Sequence, residues 1–151
     1  MQVLKEDFAI LDLLIKSCDI DFGILRESNI DRNFFSDYSN QRIVNSFLFN
    51  YIKIQDKTGT KLFKHVLYEL KEIDDYSIPM IDVLNNLEKL NIIEKTDEWD
   101  RLREIRNNVT HEYPSDIDER IENIKLTLEG YSTLKKIYNN TKAYCTDKGL
   151  L

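Results

Sequence analysis

The sequence predicts an all-α fold, an antiparallel bundle of about five helices forming a single domain over residues 1–151. Three observations carry that expectation. The chain holds only four glycines and two prolines in 151 residues, too few turn formers for a sheet-rich architecture. Apolar residues recur at three- and four-residue spacings over long stretches, the period of a helix with one buried face. Between those stretches, capping and turn residues gather in short clusters. A composition of 42% hydrophobic and 32% charged residues is that of a globular chain with a sizeable core.

The elements follow in order. A first helix near Val3 to Glu27 carries Leu4, Phe8, Leu11, Leu14, Ile15, Cys18 and Phe22 on one face. The stretch "SNIDRNFFSDYSN" is a connection. A second helical segment begins near Gln41 and runs to about Glu72, with Ile43, Phe47, Tyr51, Ile54, Leu62, Val66 and Leu70 as its buried stripe. Gly59 within "KTGT" marks an expected kink or break, because a mid-helix glycine costs about 1 kcal/mol relative to alanine. Ser77 and Pro79 open a third, short helix with Ile81, Leu84, Leu87 and Leu90 as its core face. Thr96 is the expected N-cap of a fourth, with Asp97 and Glu98 well placed for its dipole. Pro114 is expected to close that helix by biasing Tyr113 away from α geometry. Asp116 or Asp118 opens a fifth helix, which buries Ile121, Ile124, Leu128, Tyr131, Leu134 and Tyr138. The tail after Ala143 is expected to fray.

Charge and cysteine usage narrow the function classes. A net charge of −6 and a pI near 5.0 argue against broad, tight nucleic-acid binding, which is driven by phosphate neutralisation. No apolar run approaches the length of a membrane span, and no leader-like segment opens the chain. Cys18 and Cys145 are far apart and read as reduced thiols of a cytoplasmic protein. No Asp/Glu/His cluster stands at metal-ligand spacing, so the expectation is a site without a metal or other cofactor.

One short string concentrates chemistry. "RNNVTHEY", Arg106 to Tyr113, contains one of the two histidines of the chain. On a helical wheel, Trp99, Leu102, Ile105 and Val109 share an arc of about 120° that should face the core. Beside it lies a polar arc with Arg103, Arg106, Asn107, Thr110 and His111. Asn107 and His111 stack one turn apart, and Arg103 extends their row. Arg106 stands about 140° round from His111, so the two could meet only if the arginine reaches round or if a second surface, such as a two-fold-related copy, packs there to form a cleft. The geometry alone fits equally a solvated helix end with cations at its negative pole.

A second concentration is basic. Lys53, Lys57, Lys61 and Lys64 fall within about 80° if the second helix is continuous, and Asp56 is the sole acid between Arg42 and His65. The stripe is either an RNA or partner contact or a solvated face. His65, beside it, reads as a bystander.

The string Arg106, four residues, His111, one residue, Tyr113 resembles the RX4HXY motif of the HEPN superfamily, in particular the HepT-type toxins of HEPN–MNT toxin–antitoxin modules. Asn107 directly after the arginine fits that pattern, as does the position late in a small helical chain before one more long helix. "QDKTGTKLFKHVL" also resembles the second long helix of these proteins. The resemblance implies a metal-independent endoribonuclease of a type VII-like module, working as a cytoplasmic homodimer. Arg106, Asn107 and His111 would then line a shared cleft, and a partner MNT nucleotidyltransferase would neutralise the toxin by AMPylation of Tyr113. The residue chemistry suits these roles. Histidine exchanges protons near neutrality, arginine grips two phosphate oxygens, and an amide orients an imidazole or donates to phosphate. Two other classes share the sequence features: a non-catalytic HEPN subunit serving a nucleotidyltransferase, and a plain helical interaction module.

Overall fold

The computed structural model describes residues 1–110 and 116–151. His111, Tyr113 and Pro114, with the expectations attached to them, lie outside the described residues. The chain is all-helical, with no strand among the described residues. Its helices are α1 (Gln2–Arg26), α2 (Tyr38–Lys57), α3 (Phe63–Glu69), α4 (Met80–Lys89), α5 (Thr96–Val109) and α6 (Ile117–Asp147). None is long and apolar enough to cross a membrane.

α1 runs antiparallel to both α2 and α6. Against α2, residue 7 meets residue 57 and residue 18 meets residue 47. Against α6, Phe8 meets Tyr138 and Ile15 meets Tyr131. One continuous core joins the helices, built on Leu4, Phe8, Leu11, Phe47, Tyr51, Ile54, Trp99, Leu102, Tyr131 and Leu134. The connection after α1 contains a 3₁₀ turn, Arg32–Ser36, that buries Phe34 and Phe35. Cys18 and Cys145 are buried free thiols, and burial pushes them up to about 12 and about 11 respectively.

Several boundaries differ from the sequence expectation, each for a local reason. α2 starts earlier, at Tyr38, because the Asp37 carboxylate accepts from the Ser39 N–H at 2.9 Å. Gly59 does not break the rod. Residues Thr58–Leu62 form a π turn that carries α2 into α3. On α4 the buried side chains are Val83, Leu84 and Leu87, while Ile81 is exposed. α4 packs on α3 and α5, and those neighbours cover the Val83–Leu87 row rather than the first turn. The N-cap of α5 is Lys95, with Thr96 already helical, and the Glu98 carboxylate reaches back to the Glu94 N–H at 3.0 Å. The tail expected to fray instead continues α6 to Asp147, with Cys145 buried. It closes on Gly149 at φ 75°, and the Leu150 N–H donates to Cys145 O at 2.9 Å. This Schellman-type ending satisfies carbonyls that would otherwise be left open. Asp116 caps α6 as expected, accepting from the Glu119 N–H at 3.1 Å.

Candidate functional site

α5 carries the first part of the motif string, Arg106 to Val109, and its neighbours hold it tightly. Trp99, Leu102, Ile105 and Val109 are all buried, as their spacing predicts. Two glycines allow that burial. A Cβ on Gly59 would come within 2.9 Å of the Trp99 ring, and a Cβ on Gly130 within 2.9 Å of Ile105. The π turn and α6 therefore approach α5 closely from two sides, the first against the Trp99 ring and the second against the Cδ1 end of Ile105. The entropic cost of two helical glycines, about 1 kcal/mol each, is offset by this close packing.

α2 supplies the polar grip. The Tyr51 hydroxyl donates to Leu102 O at 3.2 Å. The Gln55 amide, oriented as its neighbours require, donates to Leu102 O at 2.8 Å and accepts from the Arg103 N–H at 3.0 Å. The next residue, Asp56, takes Arg106 in a two-bond pair: Nε to Oδ1 and Nη2 to Oδ2, both 2.9 Å. The Arg106 side chain is 30% exposed and that of Asp56 47%. The hydrogen bonds to Asp56 hold the guanidinium even more firmly protonated than usual. The Thr60 hydroxyl donates to Asp56 O at 2.7 Å and ties the π turn to the same point.

These groups line a cleft of about 210 Å³ between the π turn and α5, walled by Gln55, Asp56, Gly59, Thr60, Met80, Trp99, Arg103, Arg106 and Asn107. Arg106 enters it from the border of the apolar arc, where the wheel placed it. Asn107 is exposed on the adjoining surface. Arg103, also exposed, reaches Asp100 at 3.5 Å and no other acid among the described residues. The structure thus brings Arg103, Arg106 and Asn107 together at one cleft. α5 ends at Val109, and Thr110 closes it with both N–H and hydroxyl on Asn107 O, at 3.3 and 2.8 Å.

The lysine stripe is not a row of four equivalent cations. The π turn interrupts its period. Lys57 bonds the buried Asp7 carboxylate at 3.2 Å, and Lys64 donates to Tyr76 O at 2.8 Å. Lys53 lies over the Phe49 ring. Lys53, Lys57 and Lys61 rim a second, more apolar groove of about 580 Å³ that shares Asp56 and Thr60 with the first cleft. His65 has a structural bond rather than a place at the cleft. Its Nδ1 meets Asp7 at 2.5 Å, so Asp7 pins α1 to both α2 and α3.

Asp56, Gln55 and Tyr51 are the site residues that the reading of the motif missed. Asp56 had a signal, as the single acid in a basic stretch. Tyr51 and Gln55 had only their places on the buried stripe. Chemically, a guanidinium whose Nε–Nη2 edge is filled by a carboxylate keeps its Nη1 donors and one Nη2 donor for a second oxyanion. The cleft is therefore suited to gripping a phosphate at a fixed angle. No family model, curated protein or solved structure matches this chain.

Proposed function

We propose that the chain is a metal-independent endoribonuclease, the toxin of a type VII-like toxin–antitoxin module, acting as a homodimer. The observation that carries the reading is the RX4HXY string, whose arginine and following asparagine line a cleft beside a second arginine. In this reaction the ribose 2′-hydroxyl oxygen attacks the adjacent phosphorus as its proton passes to a base. The P–O5′ bond breaks and O5′ leaves with a proton from an acid. The products end in a 2′,3′-cyclic phosphate and a 5′-hydroxyl. His111 serves the proton transfers, since a histidine side chain can take or give a proton near neutrality. A dimer supplies two copies, one to take and one to give. Arg106 neutralises the charge gathering on the phosphorane. Asn107 holds a phosphate oxygen or the imidazole. Arg103, with Lys53 and Lys61 further along, follows the RNA backbone.

Regulation runs through Tyr113. A partner MNT-type nucleotidyltransferase transfers AMP from ATP to the phenol oxygen, with release of pyrophosphate. A phosphate two residues from His111 then competes with the RNA phosphate for the Arg106 guanidinium.

Expression of the lone chain in a bacterium should arrest growth, and the purified protein should cleave RNA in the presence of EDTA. His111→Ala should abolish both effects while leaving the helical circular dichroism unchanged. Strict dependence on added Mg²⁺, or cleavage unaffected in His111→Ala, would overturn the reading. For Tyr113, intact-mass measurement after incubation with the partner and ATP should show added AMP on wild type and none on Tyr113→Phe.

A further inference from the structure

α1 has two apolar faces, and the core uses only one. Its outer face carries Ile10, Leu13, Ile20 and Ile24, all exposed. On the side of that face nearest α2, Ile10 and Leu14 join Phe49 and Ile52 in the groove of about 580 Å³. Ile10 is 47% exposed and Phe49 59%, so this apolar floor is open to solvent. The remaining lining is polar and belongs to the end of α2 and the π turn.

The two kinds of lining are segregated along the groove. α1 and α2 run antiparallel, with residue 7 against residue 57 and residue 18 against residue 47. Leu14 and Phe49 therefore stand at one end, and Lys61 at the other. Phe49 to Lys61 spans roughly 18 Å at helical rise. The charges at the polar end are not spent alike. Asp56 is paired with Arg106, and Lys57 with Asp7. Lys53 lies only over the Phe49 ring, and Lys61 has no ion pair among the described residues.

We propose that this groove binds a fatty-acid anion, with its alkyl chain on Ile10, Leu14, Phe49 and Ile52 and its carboxylate at Lys53 and Lys61. Three observations choose that occupant. An apolar floor that ends in uncommitted cations is the complement of a molecule with an apolar tail and one anionic end. The floor is aliphatic at three of its four apolar positions, and its one ring already carries Lys53. Nucleobases stack on a series of aromatic faces, so the floor suits an alkyl chain instead. The head follows from the donors. No arginine lines the groove, and two ammonium groups on flexible stems match the two oxygens of a carboxylate. Lys53 and Lys61 are also the lysines set along the RNA backbone above, so a bound carboxylate would compete with RNA there. That consequence rests on the nuclease reading; the binding itself does not.

Calorimetric titration with dodecanoate, well below micelle formation, should show one saturable site per chain with a Kd on the order of 10 μM. Each methylene taken fully from water is worth about fourfold in affinity. In a groove open on one side, octanoate should therefore bind at least about tenfold more weakly. Ile10→Ser with Phe49→Ser should weaken dodecanoate binding by about tenfold or more and keep the helical circular dichroism, because both side chains are exposed. Lys53→Glu with Lys61→Glu should reverse the head-group preference, so that dodecyltrimethylammonium binds the variant better than dodecanoate does. Absence of a saturable dodecanoate site would overturn the proposal, as would several equivalents bound per chain or a preference that survives the charge reversal. Dodecyl phosphate binding tenfold or more tightly than dodecanoate, about 1.4 kcal/mol, would overturn the carboxylate assignment. None of these readouts uses RNA. A chain that binds dodecanoate this way yet cleaves nothing would sink only the nuclease reading.

Discussion

The polar seam between α1 and α6 and the one between α2 and α5 are built differently. Where α1 meets α6, the Asp12 carboxylate accepts from the Tyr138 hydroxyl at 2.5 Å and the Lys142 ammonium at 2.8 Å. Seven residues on, Asp19 accepts from Tyr131 at 2.6 Å and Lys135 at 2.8 Å. Each acid sits between a phenol and an amine four residues apart on α6, and the arrangement repeats every two turns because the helices are antiparallel. Each acid oxygen has its own donor. Burial, together with the bonded carboxylates, pushes the Tyr131 and Tyr138 phenols well above their usual range, so both stay neutral. Where α2 meets α5, Arg106 meets one carboxylate and keeps donors in hand beside an open cleft. A surplus of fixed donors next to empty space is what distinguishes a candidate site from a structural clasp.

The largest expected effect breaks the contrast directly. Asp56→Ala should leave Arg106 without its guide and lower RNA cleavage about 100-fold, as misplacement of a catalytic group by an ångström can. Its stability should fall by no more than about 1 kcal/mol, because the pair is partly solvated. Asp19→Ala should do the opposite, lowering stability with cleavage per folded molecule unchanged. Equal activity loss in both, measured beside denaturant midpoints, would erase the distinction between clasp and site.

A middle effect tests the walls of the cleft. Gly59→Ala sets a methyl group against the rigid Trp99 ring and should cost about 1–3 kcal/mol by overpacking, while Gly130→Ala should cost less, since the closest neighbour of its methyl group is the movable Cδ1 end of Ile105. Gly59→Ala should also alter Trp99 fluorescence, since its methyl group would meet the indole ring. An unchanged emission spectrum and midpoint would mean that the close approach imposes no constraint.

The smallest effect sharpens the clasp. Burial raises the Asp12 carboxyl, but the hydrogen bonds from Lys142 and Tyr138 outweigh it and hold the group below its ordinary value. A depressed folded pKa contributes stability that is fully present above the unfolded pKa of about 4 and lost as pH falls through the folded value. Wild type should therefore exceed Asp12→Asn by up to about 1 kcal/mol at neutral pH. The gap should close below about pH 4, as followed by urea unfolding across pH. A gap that widens on acidification would reverse the assigned direction.

Much of the frame was legible in the sequence. The period of Trp99, Leu102, Ile105 and Val109 places α5 and its buried face. Asp116 starts α6, and the apolar spacing of the first 27 residues locates α1. The approach of Arg103, Arg106 and Asn107 to one surface follows from their spacing on one helix. What the reading misplaced lies where neighbours decide. Gly59 was legible as an exception to helix propensity, but whether it breaks, kinks or widens a helix depends on the tryptophan pressed against it. Ile81 and Val83 are both apolar, and only the direction from which α3 and α5 arrive determines which is covered. The expected frayed tail instead forms a capped end because Cys145 finds a place in the core.

By itself, the sequence determined that the chain is helical, which faces of α1, α5 and α6 are apolar, and that arginine, amide and histidine gather in one short string. Those properties depend on dihedral preference and a 3.6-residue period, which act over a few residues. Only the tertiary structure decided that Asp56 is the partner of Arg106 at a separation of 50 residues, that Asp7 joins three helices, and that α1 keeps a second apolar face uncovered. Helical period specifies which side chains point inward, but not which helix they meet there. That choice is made by the joint packing of all the helices, down to the two glycines that let α5 come close.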